Sequence, residues 1–152
     1  GEGTSHLGYT SSMFITPDKF AEVVASQRRH LNMNISGSYV ETLIEGYYVT
    51  NVQLPKGALP SQIRVDISNP HVGKQIKLFA NKYIDGTTGQ QMYLGNTADV
   101  ALGGIQDINI TKVMANAILM ATMQGNPYYF TIMVGPLAAN DQIYGAQINW
   151  SS

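Results

Sequence analysis

Between Gln62 and Leu94 apolar and polar residues alternate, break off, and alternate again. Ile63, Val65 and Ile67 fall on one side of an extended chain and Gln62, Arg64, Asp66 and Ser68 on the other, because successive side chains of a strand point to opposite faces. A turn at Asn69-Pro70 follows, then a run from Gln75 to Ile84, then Asp85-Gly-Thr-Thr-Gly89, then a run from Gln90 to Leu94. Glycines in that short connection supply the positive φ that tight turns need, so the spacing predicts a hairpin closing at 85–89.

The same texture fills most of the chain. Tyr39 to Ile44 and Tyr47 to Leu54 are β-branched and aromatic runs split by Gly46, and further runs cover Gln106 to Lys112, Asn116 to Met123, Tyr128 to Val134 and Gln142 to Trp150. Turn residues separate them: Pro55 to Pro60, Gly95 to Gly104, Gln124 to Pro127, and Gly135 to Asp141. Regularly spaced short strands with turn signals between them predict a mostly β protein, an antiparallel β-sandwich of jelly-roll type. The runs 116–123 and 128–134 are apolar on both sides. Strands like these are covered twice, which predicts an oligomer. Met114, Met120, Met123 and Met133 suit gaps in the core.

The first 36 residues read differently. Gly1 to Ile15 lacks apolar periodicity and has Tyr9, Met13 and Phe14 as its large anchors, an extended arm suited to docking on a neighbouring subunit. Thr16-Pro17-Asp18 carries N-cap, first-turn proline and first-turn acid, which together predict a short α-helix. Its apolar face would hold Phe20, Val23, Val24 and Leu31, a candidate oligomer interface. Arg28, Arg29 and His30 would close its last turn against the helix dipole. The expected division is an arm and helix over 1–36 and a sandwich over 37–152.

Charge changes the picture most. Asp, Glu, Lys and Arg make up 12% of the 152 residues, with a formal net charge of −1, where an ordinary soluble domain carries about 25% charged residues. The polar surface must therefore be built from amides, hydroxyls and tyrosine. Such a surface suits hydrogen bonding to uncharged ligands such as glycans, or burial against identical subunits, where desolvating charges would be costly. Nine basic residues spread along the chain form no patch for phosphates, which argues against nucleic acid as a partner. With no cysteine, disulfides, thiolate metal sites and thiol nucleophiles are excluded. No apolar run reaches the roughly 18 residues of a membrane span, and the N-terminus has no basic-then-apolar signal pattern, so no membrane insertion is expected.

Catalytic chemistry finds little support. His6, His30 and His71 have no nucleophile elbow to serve, and no His-x-His, His-x-x-x-His or calcium-loop spacing occurs, so neither metal nor cofactor is expected. Glu41 and Glu45 are the only glutamates in the sheet region, a thin basis for a paired-carboxylate glycosidase. Asn34, Asn109 and Asn149 begin Asn-x-Ser/Thr tripeptides, which matter only on a eukaryotic secretory route. The remaining candidates are rings beside amides, since sugars present C–H faces to aromatic rings and hydroxyls to planar polar groups. Tyr83 with Asn81 and Asp85, Tyr93 with Gln91, and Trp150 with Gln147 and Asn149 meet that description along the sequence.

An arm and short helix followed by a charge-poor, cysteine-free β domain rich in Asn, Thr, Tyr and Gly resembles the C-terminal or tip domain of a bacteriophage tail spike or tail fibre. Asn81-Lys-Tyr-Ile-Asp-Gly-Thr-Thr-Gly-Gln90 and Leu94-Gly-Asn-Thr-Ala-Asp99 carry the likeness. The resemblance implies a virion location, a homotrimer with the helix near its three-fold axis, and a sandwich serving trimer assembly, host-glycan binding or both. The expected function is a non-catalytic attachment module for a cell-surface carbohydrate. The alternatives are a coat or spike assembly domain without a small ligand, and a carbohydrate-active enzyme whose acids meet across a subunit boundary.

Overall fold

The computed structural model describes residues 10–22, 31–34, 36–69, 74–82, 90–96, 106–107 and 128–151. Eleven strands are found among them: β1 (Thr10–Ile15), β2 (Ala21–Glu22), β3 (Leu31–Met33), β4 (Val40–Thr42), β5 (Gly46–Val52), β6 (Leu59–Ile67), β7 (Gln75–Lys82), β8 (Gln90–Asn96), β9 (Gln106–Asp107), β10 (Tyr128–Leu137) and β11 (Gln142–Ser151). They form two antiparallel sheets. The first runs β3-β4-β11-β6-β9 with β1 also paired to β11, and the second runs β2-β5-β10-β7-β8. Strands β4 to β11 thus fill two layers, β4-β11-β6-β9 and β5-β10-β7-β8, which is the jelly-roll order. β1 and β3 extend the first layer and β2 the second.

The period-two pattern decides which side chains meet. Ile63, Val65 and Ile67 of β6 pack with Ile143 and Ile148 of β11 on the inner side of the first sheet. Tyr48, Val52, Ile76, Leu78, Phe130, Ile132 and Val134 face them from the second. Burying each of these side chains contributes on the order of 1.5–3 kcal/mol. Tyr48 is wholly buried, and its hydroxyl donates to the Ile44 carbonyl at 2.6 Å. Burial pushes that hydroxyl above its ordinary pKa of 10.0.

The predicted hairpin is borne out in its strands: β7 and β8 pair from Lys82↔Gln90 onward, although its turn at 85–89 lies outside the described residues. Two expectations are overturned. Among the described residues a 3-10 turn, Pro17–Lys19, stands where the α-helix predicted after Thr16 would begin, and Phe20 is already extended with ψ 147°; residues 23–30 of the predicted span, with Arg28, Arg29 and His30, lie outside the described residues. β2 and β3 then occupy the ends of the predicted helical span. Pro17 and Asp18 do open a turn, but Phe20 is drawn into the core and Ala21 and Glu22 pair with Val49 and Tyr48 of β5, so tertiary contacts override residues that are good helix formers on their own. The extended arm is likewise corrected at its C-terminal end. Thr10 to Ile15 pairs along β11 of the same chain, from Thr10↔Ser151 to Ile15↔Ala146, and Ile15 enters the core.

Strand β10, expected to be apolar on both sides, sits in the middle of the second sheet. Phe130, Ile132 and Val134 point inward, while Tyr129 and Met133 on the outer side are half-buried. Asn51 of β5 and Asn81 of β7 reach over that outer side, each hydrogen-bonded to Thr131. The companion run 116–123 lies outside the described residues.

One end of the sandwich is closed by polar groups. Asp141 accepts hydrogen bonds from Asn69 Nδ2 at 2.7 Å, Lys74 Nζ at 3.0 Å and the Ala138 amide at 2.9 Å. Lys74 Nζ also donates to the Asn69 carbonyl. Thr42 completes the knot, exchanging backbone and side-chain bonds with Ala138, Asn140 and Asp141.

Candidate functional site

The outer side of the first sheet carries the largest exposed ring among the described residues. Phe14 is 77% exposed, though it lies on a strand paired along its whole length. It faces outward because Met13 and Ile15, its neighbours of opposite parity, face the core. Phe14 stands opposite Gln147, and Gln147 opposite Arg64; one row further on, Ser12 stands opposite Asn149, and Asn149 opposite Gln62. β1, β11 and β6 thus present a ring, two amides and then an amide and a charged pair across two strand spacings, roughly 10 Å.

Hydrogen bonds hold that strip in place. Gln147 Nε2 donates to Asn149 Oδ1 at 3.0 Å, and Asn149 Nδ2 donates to Gln62 Oε1 at 3.1 Å. Arg64 Nε donates to Asp66 Oδ1 at 2.7 Å. The amides therefore run in one direction, donor to acceptor, from β11 to β6. The Arg64 guanidinium is balanced by Asp66, so the pair adds no net charge to the strip. The approach of β1 depends on Gly145, whose φ is +139° and where an added Cβ would lie 2.8 Å from the Ile15 carbonyl oxygen.

The structure separates the residues that were grouped from sequence. Gln147 belongs to the strip, but Trp150 is 7% exposed and packs in the core, so it is no platform for a ligand. The reason is parity: 147 and 149 face outward, so 148 and 150 face inward. Asn81 is on the outer side of the second sheet, opposite Tyr129 and Gln91. Tyr93 stands opposite Phe79 on β8, while Tyr83 and Asp85 lie outside the described residues. Of the candidate oligomer interface, Phe20 is 2% exposed inside the chain's own core and cannot meet a second copy. Leu31 belongs to β3, opposite Thr42, rather than to a helix, and Val23 and Val24 lie outside the described residues.

Phe14, Gln62 and Arg64 share this strip with Gln147, although no motif in the sequence marks them. The signal for Gln62 and Arg64 was present in the alternation of β6; that for Phe14 was absent, because nothing local says that an N-terminal segment pairs with the C-terminal strand. Two of the Asn-x-Ser/Thr asparagines are occupied structurally. Asn34 bonds Ser36, Ser38 and the Tyr39 amide within a turn, and Asn149 is 9% exposed within the amide chain. Among the described residues no three His, Cys, Asp or Glu side chains converge as a metal site would require, and no helix is long and apolar enough to cross a membrane.

No family model matches the chain, and no curated protein matches it. Among solved structures it is similar to the Glycosylation Associate Protein (Gap123) complex from Streptococcus agalactiae, at 9% identity and a TM-score of 0.46 over 93% of this chain and 26% of that one. It is also similar to a family two carbohydrate esterase from Cellvibrio japonicus, at 7% identity and a TM-score of 0.41 over 94% of this chain and 34% of the esterase. The chain thus spans about a quarter to a third of the length of these structures.

Proposed function

We propose that this chain is a non-catalytic module that binds a neutral glycan on the outer face of its first sheet, as part of a virion attachment organelle of the tail-spike or tail-fibre kind. The observation that carries the binding reading is Phe14, 77% exposed beside Gln147 and the amide chain that continues to Gln62. An exposed ring costs solubility and gives the fold little. Beside oriented amides it supplies what a pyranose needs, an apolar plane for its C–H face and donors and acceptors for its hydroxyls. Assembly into a homotrimer is the companion reading, in which the same ring is covered by another copy.

A glycan array combined with solution mass tests both. Binding that disappears in Phe14→Ala, with mass unchanged, supports the glycan reading. An oligomer that ignores every glycan and dissociates in Phe14→Ala replaces it with the assembly reading. A monomer without glycan binding removes both.

A further inference from the structure

We propose a second saccharide site on the opposite face of the sandwich, centred on Thr131 of β10 and independent of the face that carries Phe14. Asn81 Nδ2 donates to Thr131 Oγ1 at 2.7 Å, and Thr131 Oγ1 donates to Asn51 Oδ1 at 2.7 Å. A hydroxyl has one proton, and here it is directed at Asn51. Asn81 turns its NH2 group toward Thr131 and Asn51 its carbonyl, the hydroxyl proton and the two amide orientations setting one another. One threonine, itself only 8% exposed, thus joins two amides on the strands either side of it. What remains is a carbonyl acceptor on Asn81 at one end and an NH2 donor on Asn51 at the other, closer together than the two strand spacings, roughly 10 Å, between their backbones, because both amides converge on one hydroxyl. Asn51 is exposed and Asn81 half-buried, so the donor end is the open one.

The surroundings specify the ligand. Phe79 stands opposite Thr131 and Tyr129 opposite Asn81, which places ring surface beside the polar ladder. Among the described residues the cation on this face is Lys77, which lies over the Tyr47 ring with Nζ 5.8 Å from its centroid. An anionic ligand would find no positive partner within the ladder. A peptide strand would find no free edge at β10, which is paired on both sides by β5 and β7. A neutral oligosaccharide matches: hydroxyls for a separated donor and acceptor, and C–H faces for the rings. Because the amides are oriented before the ligand arrives, little conformational freedom is lost there on binding.

The test is a titration followed by the side-chain amide signals of asparagine in the nuclear magnetic resonance spectrum, with maltose, cellobiose and lactose as probes. The expected result is saturable movement of the Asn51 amide signal by at least one disaccharide, unaffected by Phe14→Ala. Thr131→Val, which keeps the shape and removes the hydroxyl, should weaken that binding about tenfold or more, and Asn51→Ala, followed at the Asn81 amide signal, should abolish it. The urea midpoint of each variant establishes that it is folded, and Asn51→Ala, at an exposed position, keeps the test valid if Thr131→Val is not. Absence of any Asn51 response to all three sugars overturns the proposal, as does undiminished binding in Asn51→Ala. Loss of binding in Phe14→Ala with the Asn51 response intact would leave this site standing as separate from the first.

Discussion

Lys74 Nζ lies 3.0 Å from Asp141 Oδ2, and the two side chains are only 2% and 4% exposed. In a chain with so few charges, this pair is sealed from water at one end of the sandwich. Removing two ions from water costs several kcal/mol each, and the attraction between them offsets this only when the remaining lone pairs and protons are also satisfied. Here Asn69, Ala138 and the Asn69 carbonyl do so. The pair ties the β6–β7 connection to the β10–β11 turn and, through Thr42, to β4.

Breaking one half of the pair should therefore cost far more than removing it whole. Lys74→Met leaves an uncompensated buried carboxylate and is expected to lower stability by about 3–5 kcal/mol. Lys74→Met combined with Asp141→Leu should recover much of that loss. Urea unfolding of the two single variants and the double variant gives the coupling directly. Strictly additive losses would show that the two groups do not act as a pair.

Asp141 also sets a pH dependence. Burial acts to raise its pKa, but the hydrogen bonds from Asn69, Lys74 and the Ala138 amide, with the charge of Lys74, outweigh it and hold the carboxyl below its ordinary 3.8. A carboxyl depressed in the folded state binds protons more readily when unfolded. Its contribution is thus fully present above about pH 4 and is lost as pH falls through the folded value. Stability should decline on acidification below about pH 4, and Asp141→Asn should flatten that decline while lowering stability at pH 7. An unchanged acid slope in the variant would remove Asp141 from the account.

The strands were legible because alternation is local: the burial of Ile63, Val65 and Ile67 follows from their spacing alone. The site was legible only in part. Gln147 could be placed outward once its strand was recognised, yet grouping it with Trp150 ignored the parity that separates them. Phe14 shows the deeper limit. Its exposure depends on β1 pairing with β11, a contact between the two ends of the chain that no window of sequence contains. The predicted helix failed at its start for a related reason, since Thr16 makes no side-chain cap hydrogen bond and the pairing of Ala21 and Glu22 with β5 decided the backbone just beyond Lys19.

Two phenylalanines six residues apart should behave oppositely. Phe20, 2% exposed in the core, should cost about 3–5 kcal/mol when changed to alanine. Phe14, 77% exposed, should cost less than about 0.5 kcal/mol, since surface substitutions away from special features rarely exceed that. Thermal or urea unfolding separates them, and a large loss for Phe14→Ala would mean that the ring is packed in the free chain.

Gly145 allows β1 to reach its place. Alanine there would carry φ +139° and bring Cβ to 2.8 Å from the Ile15 carbonyl oxygen, so the strand must shift. The expected cost is about 1–3 kcal/mol. The loss should be local: amide hydrogen exchange should speed up across residues 10–15 while β6 stays protected, and glycan binding that needs Phe14 should weaken with it. Equal loosening of both strands would argue instead for a global defect.

Thr50 offers the opposite case, a substitution expected to stabilise. It faces inward between Tyr48 and Val52, is 1% exposed, and its Oγ1 has no hydrogen-bond partner. Its hydroxyl was desolvated on folding without return, a cost of about 1–3 kcal/mol in protein interiors. Valine has nearly the same shape and no group to desolvate, and its branched Cβ suits a strand equally well. Thr50→Val should therefore raise stability by about 1 kcal/mol, seen as a higher urea midpoint with an unchanged slope. A lower midpoint would mean that the hydroxyl is hydrogen-bonded in solution, for which an internal water is the candidate, and that water would be visible in a high-resolution crystal structure of the wild-type chain.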